Sequence, residues 1–258
     1  ALALSAPVAA SFAFFLVILG CDATPFIARW HERREVEELL QRPLPEAGEP
    51  LTEGNRTILP EVNLPVPFVV QAPLGNWDLP YQEACEEAAA LMAIRYAFAT
   101  PFLDTEDADT ALRELVRINE EVLQYPIDQT AEQVARLMVT VDSLMRVSLV
   151  RSPTLESLKR HLSAGRVIIV PAAGQKLRNP FFHRPGPRYH MLVLRGYTSD
   201  GYFITNDPGT KRGENYLYPF DRIMQAMGDW NNGNPEEGEK VALVVEPLSE
   251  EERKIQRR

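Results

Sequence analysis

The apolar residues of this chain change period once, near Gly165, and that change limits what it can fold into. Before it, apolar side chains recur at helical spacing. Glu83 to Ala99 is rich in Ala, Leu and Met, with apolar residues on nearly every face, so it reads as a central, buried helix. Asp109 to Gln124 is amphipathic, with Leu112, Leu115, Val116, Ile118 and Val122 on one face, and Pro126 ends it. Thr130-Ala-Glu-Gln133 is a capping box that opens another helix. Pro153, at a first helical position, starts the next, which stops at Gly165. After Gly165 the text turns to strands. Val167 to Val170 and His190 to Leu194, continuing to Tyr197, read as strands. Ser199-Asp-Gly201 is a hairpin turn, and Tyr202 to Asp207 is the returning strand. Phe220 to Trp230 reads as a helix and Val241 to Val245 as a last strand. A short strand, Val66 to Gln71, precedes the helices. Helices followed by an antiparallel sheet define an α+β fold.

The first residues follow a different logic. Ala1 to Cys21 carry no charge and most are apolar, densest at Phe12 to Leu19. Roughly 20 apolar residues match the hydrocarbon thickness of a bilayer. This predicts a membrane-targeting or anchor segment over 1–28, either an uncleaved helix or a signal cut before Cys21. A buried core helix is the third reading. Ile18-Leu19-Gly20-Cys21 is similar to a bacterial lipobox, which would place a lipid on Cys21. The expectation is a membrane-anchored or exported, extracytoplasmic protein. Residues 29–61 combine a charged helix from Trp30 to Gln41 with a linker punctuated by Pro43, Pro45, Gly48, Pro50, Gly54 and Pro60. The folded domain then spans 62–248, and 249–258 is a charged tail.

Composition excludes several functions. Apolar residues make up 45% and charged residues 24%, so the chain is not mainly disordered. A net charge of −9 argues against a general nucleic-acid surface. Cys21 and Cys85 are the two cysteines, too few for a disulfide framework or a multi-cysteine zinc site. His183 and His190 are separated by a loop with Pro185, Gly186 and Pro187 and lack a third ligand, so neither metal nor cofactor is expected.

The residues that carry chemistry lie in order along the domain. A cysteine alone on an Ala-rich helix is ordinarily a small core residue, and a lone strand histidine is ordinarily a packed one. Cys85 in a first helical turn, however, receives the positive end of the helix dipole, which favours thiolate. His190 begins a strand and can face that helix end. Asp207 closes the neighbouring strand and can orient the imidazole. Asn206 is its rival, because strand alternation lets only one of the two face His190. Gln71 can offer its side-chain amide to an oxyanion, with the Cys85 N–H as the second donor and Gln82 as the competing glutamine. Trp77, Tyr81, Phe181, Phe182 and Tyr189 serve equally as cleft or core.

This series resembles the bacterial, membrane-tethered C39-like cysteine peptidases of the papain-like superfamily. The matching text is Val66-Pro-Phe-Val-Val-Gln71, Cys85 before its Ala-rich helix, Tyr189-His190-Met-Leu-Val-Leu-Arg-Gly196-Tyr197 and Asn206-Asp207-Pro208-Gly209. The resemblance implies a papain-like fold, its nucleophile helix packed on a C-terminal antiparallel sheet. It implies hydrolysis of a peptide or protein substrate through a thioester, with Cys85 as nucleophile, His190 as base, Asp207 as orienting acid and Gln71 in the oxyanion hole. The pattern departs from the family at Cys85-Glu86-Glu87, where many members have Cys-Gly-Pro. With Glu83, these carboxylates would raise the thiol pKa. Two other readings are a non-catalytic peptide- or cell-wall-binding module on the same fold and a peptidoglycan amidase or transpeptidase.

Overall fold

The computed structural model describes residues 24–46 and 57–256. The expectations for residues 1–23, Cys21 among them, lie outside the described residues. The chain divides into two compact units, Ala1–Pro43 and Leu44–Arg258. In the first unit, helix α1 spans Thr24–Leu40. Arg34 pairs with Glu38 one turn on, at 2.9 Å, and lies over the Trp30 ring. Among the described residues no helix is long and apolar enough to cross a membrane.

The second unit begins with a two-residue strand, β1 (Val62–Asn63), and reaches α2 (Cys85–Phe98) through a 3-10 turn at Tyr81–Glu83. Then follow α3 (Thr105–Arg117), a π-helical turn (Ile118–Leu123) and α4 (Ala131–Val141). β2 (Val147–Arg151), α5 (Leu155–Ser163), β3 (Val167–Ala173) and the short α6 (Gly174–Leu177) come next. The remaining elements are β4 (Tyr189–Tyr197), β5 (Tyr202–Asn206), β6 (Tyr216–Pro219), α7 (Phe220–Ala226), β7 (Val241–Val245) and α8 (Glu250–Gln256).

The strands form one antiparallel sheet in the order β2-β7-β3-β4-β5-β6, with β1 added against the end of β4. Strands β3, β4 and β7 are buried along their whole length, which explains their unbroken apolar text. Helix α2 packs across β4. Its Ala88, Ala89, Ala90 and Ala93 are fully buried, and their small side chains favour both helix formation and close approach. The α+β expectation is met: a helical half lies against a C-terminal antiparallel sheet.

Several local expectations are corrected. Val66 to Gln71 is not a strand. Pro65 and Pro67 lack the N–H groups a ladder needs, and the Val66 and Pro67 carbonyls instead accept from the Asn206 side chain. The helix expected at Asp109–Gln124 begins earlier, where Asp104 accepts from the Asp107 N–H, and ends in the π-helical turn. The Thr130–Gln133 capping box forms as expected. Pro153 precedes the helix, whose cap is Thr154. Helix α7 stops at Ala226, because Met227 bridges to Ala172 and the Gly228 N–H donates to the Pro171 carbonyl at the edge of β3. Part of the charged tail is helical, as α8. Strands β2 and β6 were not anticipated.

Gly196 fixes how β1 joins the sheet. A Cβ there would overlap the Val62 carbonyl and come within 2.9 Å of Asn63 Cα. Gly196→Ala is expected to cost about 1–3 kcal/mol, the usual range for overpacking. Urea denaturation measures it, and an unchanged midpoint would contradict the Asn63–Gly196 pairing.

Candidate active site

Adjacent strands β4 and β5 bring His190 and Asp207 together. His190 is the second residue of β4, and Asp207 follows the last residue of β5. His190 Nε2 lies 2.7 Å from Asp207 Oδ1, and both residues are buried. Asp207 is fully enclosed, and its oxygens are met by donors from several segments. Oδ1 also accepts from the Gly209 N–H at 3.0 Å. Oδ2 accepts from Tyr218 Oη at 2.7 Å and from Asn179 Nδ2 at 3.3 Å. Burial works to raise its pKa. The His190 charge and these hydrogen bonds outweigh burial and hold the carboxyl below its ordinary value. Asp207 is therefore an ionised acceptor, so the His190 Nε2 that faces it carries a hydrogen, and Nδ1 is the ring nitrogen that does not face the carboxylate.

The rival Asn206 faces the other way. Its Nδ2 donates to the Val66 and Pro67 carbonyls, and its Oδ1 accepts from Arg195 and from the Asn215 N–H. Strand alternation separates the two neighbours, as anticipated. Phe182 stacks edge-on against the His190 ring at 5.2 Å between centroids. Gly209 is required beside them, since a Cβ there would lie 2.8 Å from Phe182 and 2.9 Å from His190 Cε1.

Cys85 is the first residue of α2 and is buried. The backbone of Met191, the β4 residue after His190, acts on the sulfur in the direction that favours thiolate. The thiol proton points elsewhere: Sγ donates to Glu86 Oε2 at 2.9 Å. Burial pushes the thiol well above its ordinary pKa. The Glu86 charge and hydrogen bond push the same way, and the Met191 N–H opposes them.

The acidic residues around the thiol behave differently from one another. Glu83 is exposed, whereas Glu86 and Glu87 are buried at 1% and 4% exposure. Glu86 Oε1 accepts from the Gln129 N–H at 3.2 Å. Glu87 Oε1 accepts from Gln129 Nε2 at 2.7 Å and from Asn119 Nδ2 at 3.1 Å. Burial raises both carboxyls. Glu86 is pushed further by the charge of Glu87, and Glu87 rises to about 7.

Gln71 lies at the approach to α2. Its Nε2 donates to the Tyr81 and Gln82 carbonyls at 2.9 Å each, and its N–H donates to the Pro208 carbonyl. In this state both side-chain N–H groups brace the 3-10 turn. The Gln82 side chain is exposed. The Cys85 N–H is among the first-turn groups for which a helix has no internal acceptor. Of the candidate aromatics, Phe182 and Tyr189 are buried, while Trp77, Tyr81 and Phe181 are half-buried. Among the described residues no cluster of His, Cys, Asp and Glu is arranged to hold a metal.

Sequence reasoning missed Asn179 and Tyr218. Tyr218 sits on β6, a strand too short to announce itself, and Asn179 sits in a loop. Neither has a motif, and only the meeting of their polar groups at Asp207 marks them.

The chain matches the Peptidase_C39 like family over residues 63–235, more than half of its 258 residues, and it belongs to that family. Two solved structures are similar. One is a C39-like protein of Bacillus anthracis, 15% identical, covering 74% of this chain and 99% of that one, with a TM-score of 0.49. The other is xylellain, a cysteine protease from Xylella fastidiosa, 12% identical, covering 79% and 91%, with a TM-score of 0.38. No curated protein sequence matches the chain.

Glu87 generates a pH prediction. Below its ordinary value near 4.5, folded and unfolded states both hold the proton and the group contributes nothing. From there to about 7 the folded state keeps a proton that the unfolded chain releases, so stability falls as pH rises. The fall from this group amounts to at most about 3 kcal/mol. Glu87→Gln is expected to remove it, so urea unfolding at pH 5 and pH 8 should differ less in the variant than in the parent. Parallel pH profiles would refute the assignment.

Proposed function

We propose that the chain is a cysteine peptidase, with Cys85 as nucleophile, His190 as general base and Asp207 as the group that orients it. The observation that carries this reading is the buried His190–Asp207 pair, whose histidine lies on β4, the strand against which the Cys85 helix packs. Asp207 fixes Nε2–H, which leaves Nδ1 free to take the thiol proton once Sγ turns from Glu86. The sulfur attacks the substrate carbonyl carbon. The Cys85 N–H receives the oxyanion, together with Gln71 after it releases one of its two carbonyl partners. His190 returns its proton to the leaving amine, and a thioester remains. Water, deprotonated by His190, then attacks the thioester, releasing the acid and restoring the thiol. The substrate is a peptide or protein, as family membership supports.

Cys85→Ala and His190→Ala are each expected to abolish hydrolysis in a peptide-library assay. Asp207→Asn should lower kcat by about 10²–10⁴-fold, the contribution typical of positioned acid–base chemistry. Cleavage that persists in Cys85→Ala would sink the proposal. The burial of the thiol and its hydrogen bond to Glu86 are what favour a non-catalytic binding module, and hydrolysis dependent on Cys85 excludes that reading.

We also propose that the uncharged first 21 residues tether or export this domain at a membrane, outside the cytoplasm. Fractionation of cells making the full chain is expected to find it in the membrane pellet. Deleting residues 1–21 should move it to the soluble fraction, and an unchanged distribution would refute the tether.

A further inference from the structure

We propose that Glu86 is a positioning residue for the Cys85 nucleophile: its carboxyl oxygen accepts the thiol hydrogen, so the resting site contains a neutral thiol rather than a thiolate paired with His190. The proposal rests on the peptidase reading of Cys85 and says how that residue is kept at rest.

The geometry leaves Glu86 little freedom. Oε2 takes the thiol hydrogen at 2.9 Å, and Oε1 takes the Gln129 N–H at 3.2 Å. Gln129 is itself fixed at three points: its N–H on Glu86, its Nε2 on Glu87 and its carbonyl under the Tyr189 hydroxyl at 2.8 Å. All of this is buried. Among the described residues no Lys or Arg pairs with Glu86 or Glu87, so hydrogen-bond donors alone compensate the carboxylates. The thiol is one of the two side-chain or loop donors to Glu86. Once Glu86 is ionised, removing the thiol proton in this rotamer would put a thiolate against a carboxylate in a buried site, and like charges at that separation repel strongly.

The surroundings reinforce the hold. Glu87 on the same helix and Glu120 on the π-helical turn are acidic. Tyr189 on β4 faces both Glu86 and Cys85, and Asp229, beyond α7, sits behind Tyr189. Among these neighbours the Met191 N–H alone favours thiolate. The side-chain oxygens of Asn119 and Gln129 are buried without a donor, so the cluster has more acceptors than hydrogens and retains any proton it contains.

The test is the pH profile of Cys85 alkylation by iodoacetamide in the full chain, with Cys85→Ala subtracting reaction at Cys21. The wild-type apparent pKa is expected above that of a free thiol, about 8.5. Glu86→Gln keeps the shape and removes the charge. It should lower the apparent pKa by at least about one unit, which is roughly a tenfold faster reaction at pH 7. Glu86→Asp, which keeps the charge, should stay nearer the wild-type profile. An unchanged or slower Glu86→Gln profile overturns the proposal. Should Glu86→Gln not fold, Glu86→Met takes its place: a lowered apparent pKa supports the proposal and an unchanged or slower profile overturns it. Alkylation needs no substrate, so the outcomes separate. The expected profile without hydrolysis refutes the peptidase and keeps the hold. Hydrolysis that depends on Cys85, with an unchanged Glu86→Gln profile, does the reverse.

Discussion

A carboxylate sealed from water must be met by donors, and at Asp207 that requirement organises half of the domain. Its partners come from β4, from β6, from the loop after α6 and from its own turn. The turn is possible because Gly209 leaves room for the rings of His190 and Phe182. The order of β4, β5 and β6 in the sheet is what places a histidine and a tyrosine on either side of one acid. Ionised Asp207 then determines which imidazole nitrogen carries the hydrogen, so the direction of the base follows from the strand pairing.

The helix side of the site is built on the opposite principle. Glu86 and Glu87 are buried without a cation, and amide groups from the π-helical turn and the Gln129 loop take the place of counter-charges. This ties the segments between α3 and α4 to the first turn of α2. It also explains why Glu83, one turn earlier and exposed, has no part in holding the thiol. One half of the site thus keeps a charge by surrounding it with donors. The other half resists a second charge because its donors are few. The two halves are linked at Met191, the residue after His190, whose backbone favours thiolate at Cys85.

Much of this was legible beforehand. The helix of Cys85 and the hairpin of His190 and Asp207 could be read because long elements carry many periodic residues and Gly201 marks the turn. What could not be read has identifiable causes. Val66 to Gln71 has strand-like residues, but its prolines divert its carbonyls to Asn206. β6 and β2 are short, and their partners are distant in sequence. Helix α7 ends where the edge of β3 captures Met227 and Gly228, a competition invisible within the local text. The acidic run at Cys85 could be seen, but its burial could not, since charged residues at a helix start ordinarily face water.

The sequence by itself determined the α+β order, the buried helix of Cys85 and the line of Gln71, Cys85, His190 and Asp207, because period, caps and turn residues are local signals. Tertiary structure alone decided that Asp207 rather than Asn206 meets the imidazole, that Gln71 braces the turn before α2, and that the thiol proton rests on Glu86. Those outcomes depend on which polar groups remain when water is removed, and the groups that answer one another range from the adjacent Cys85 and Glu86 to residues 140 apart along the chain.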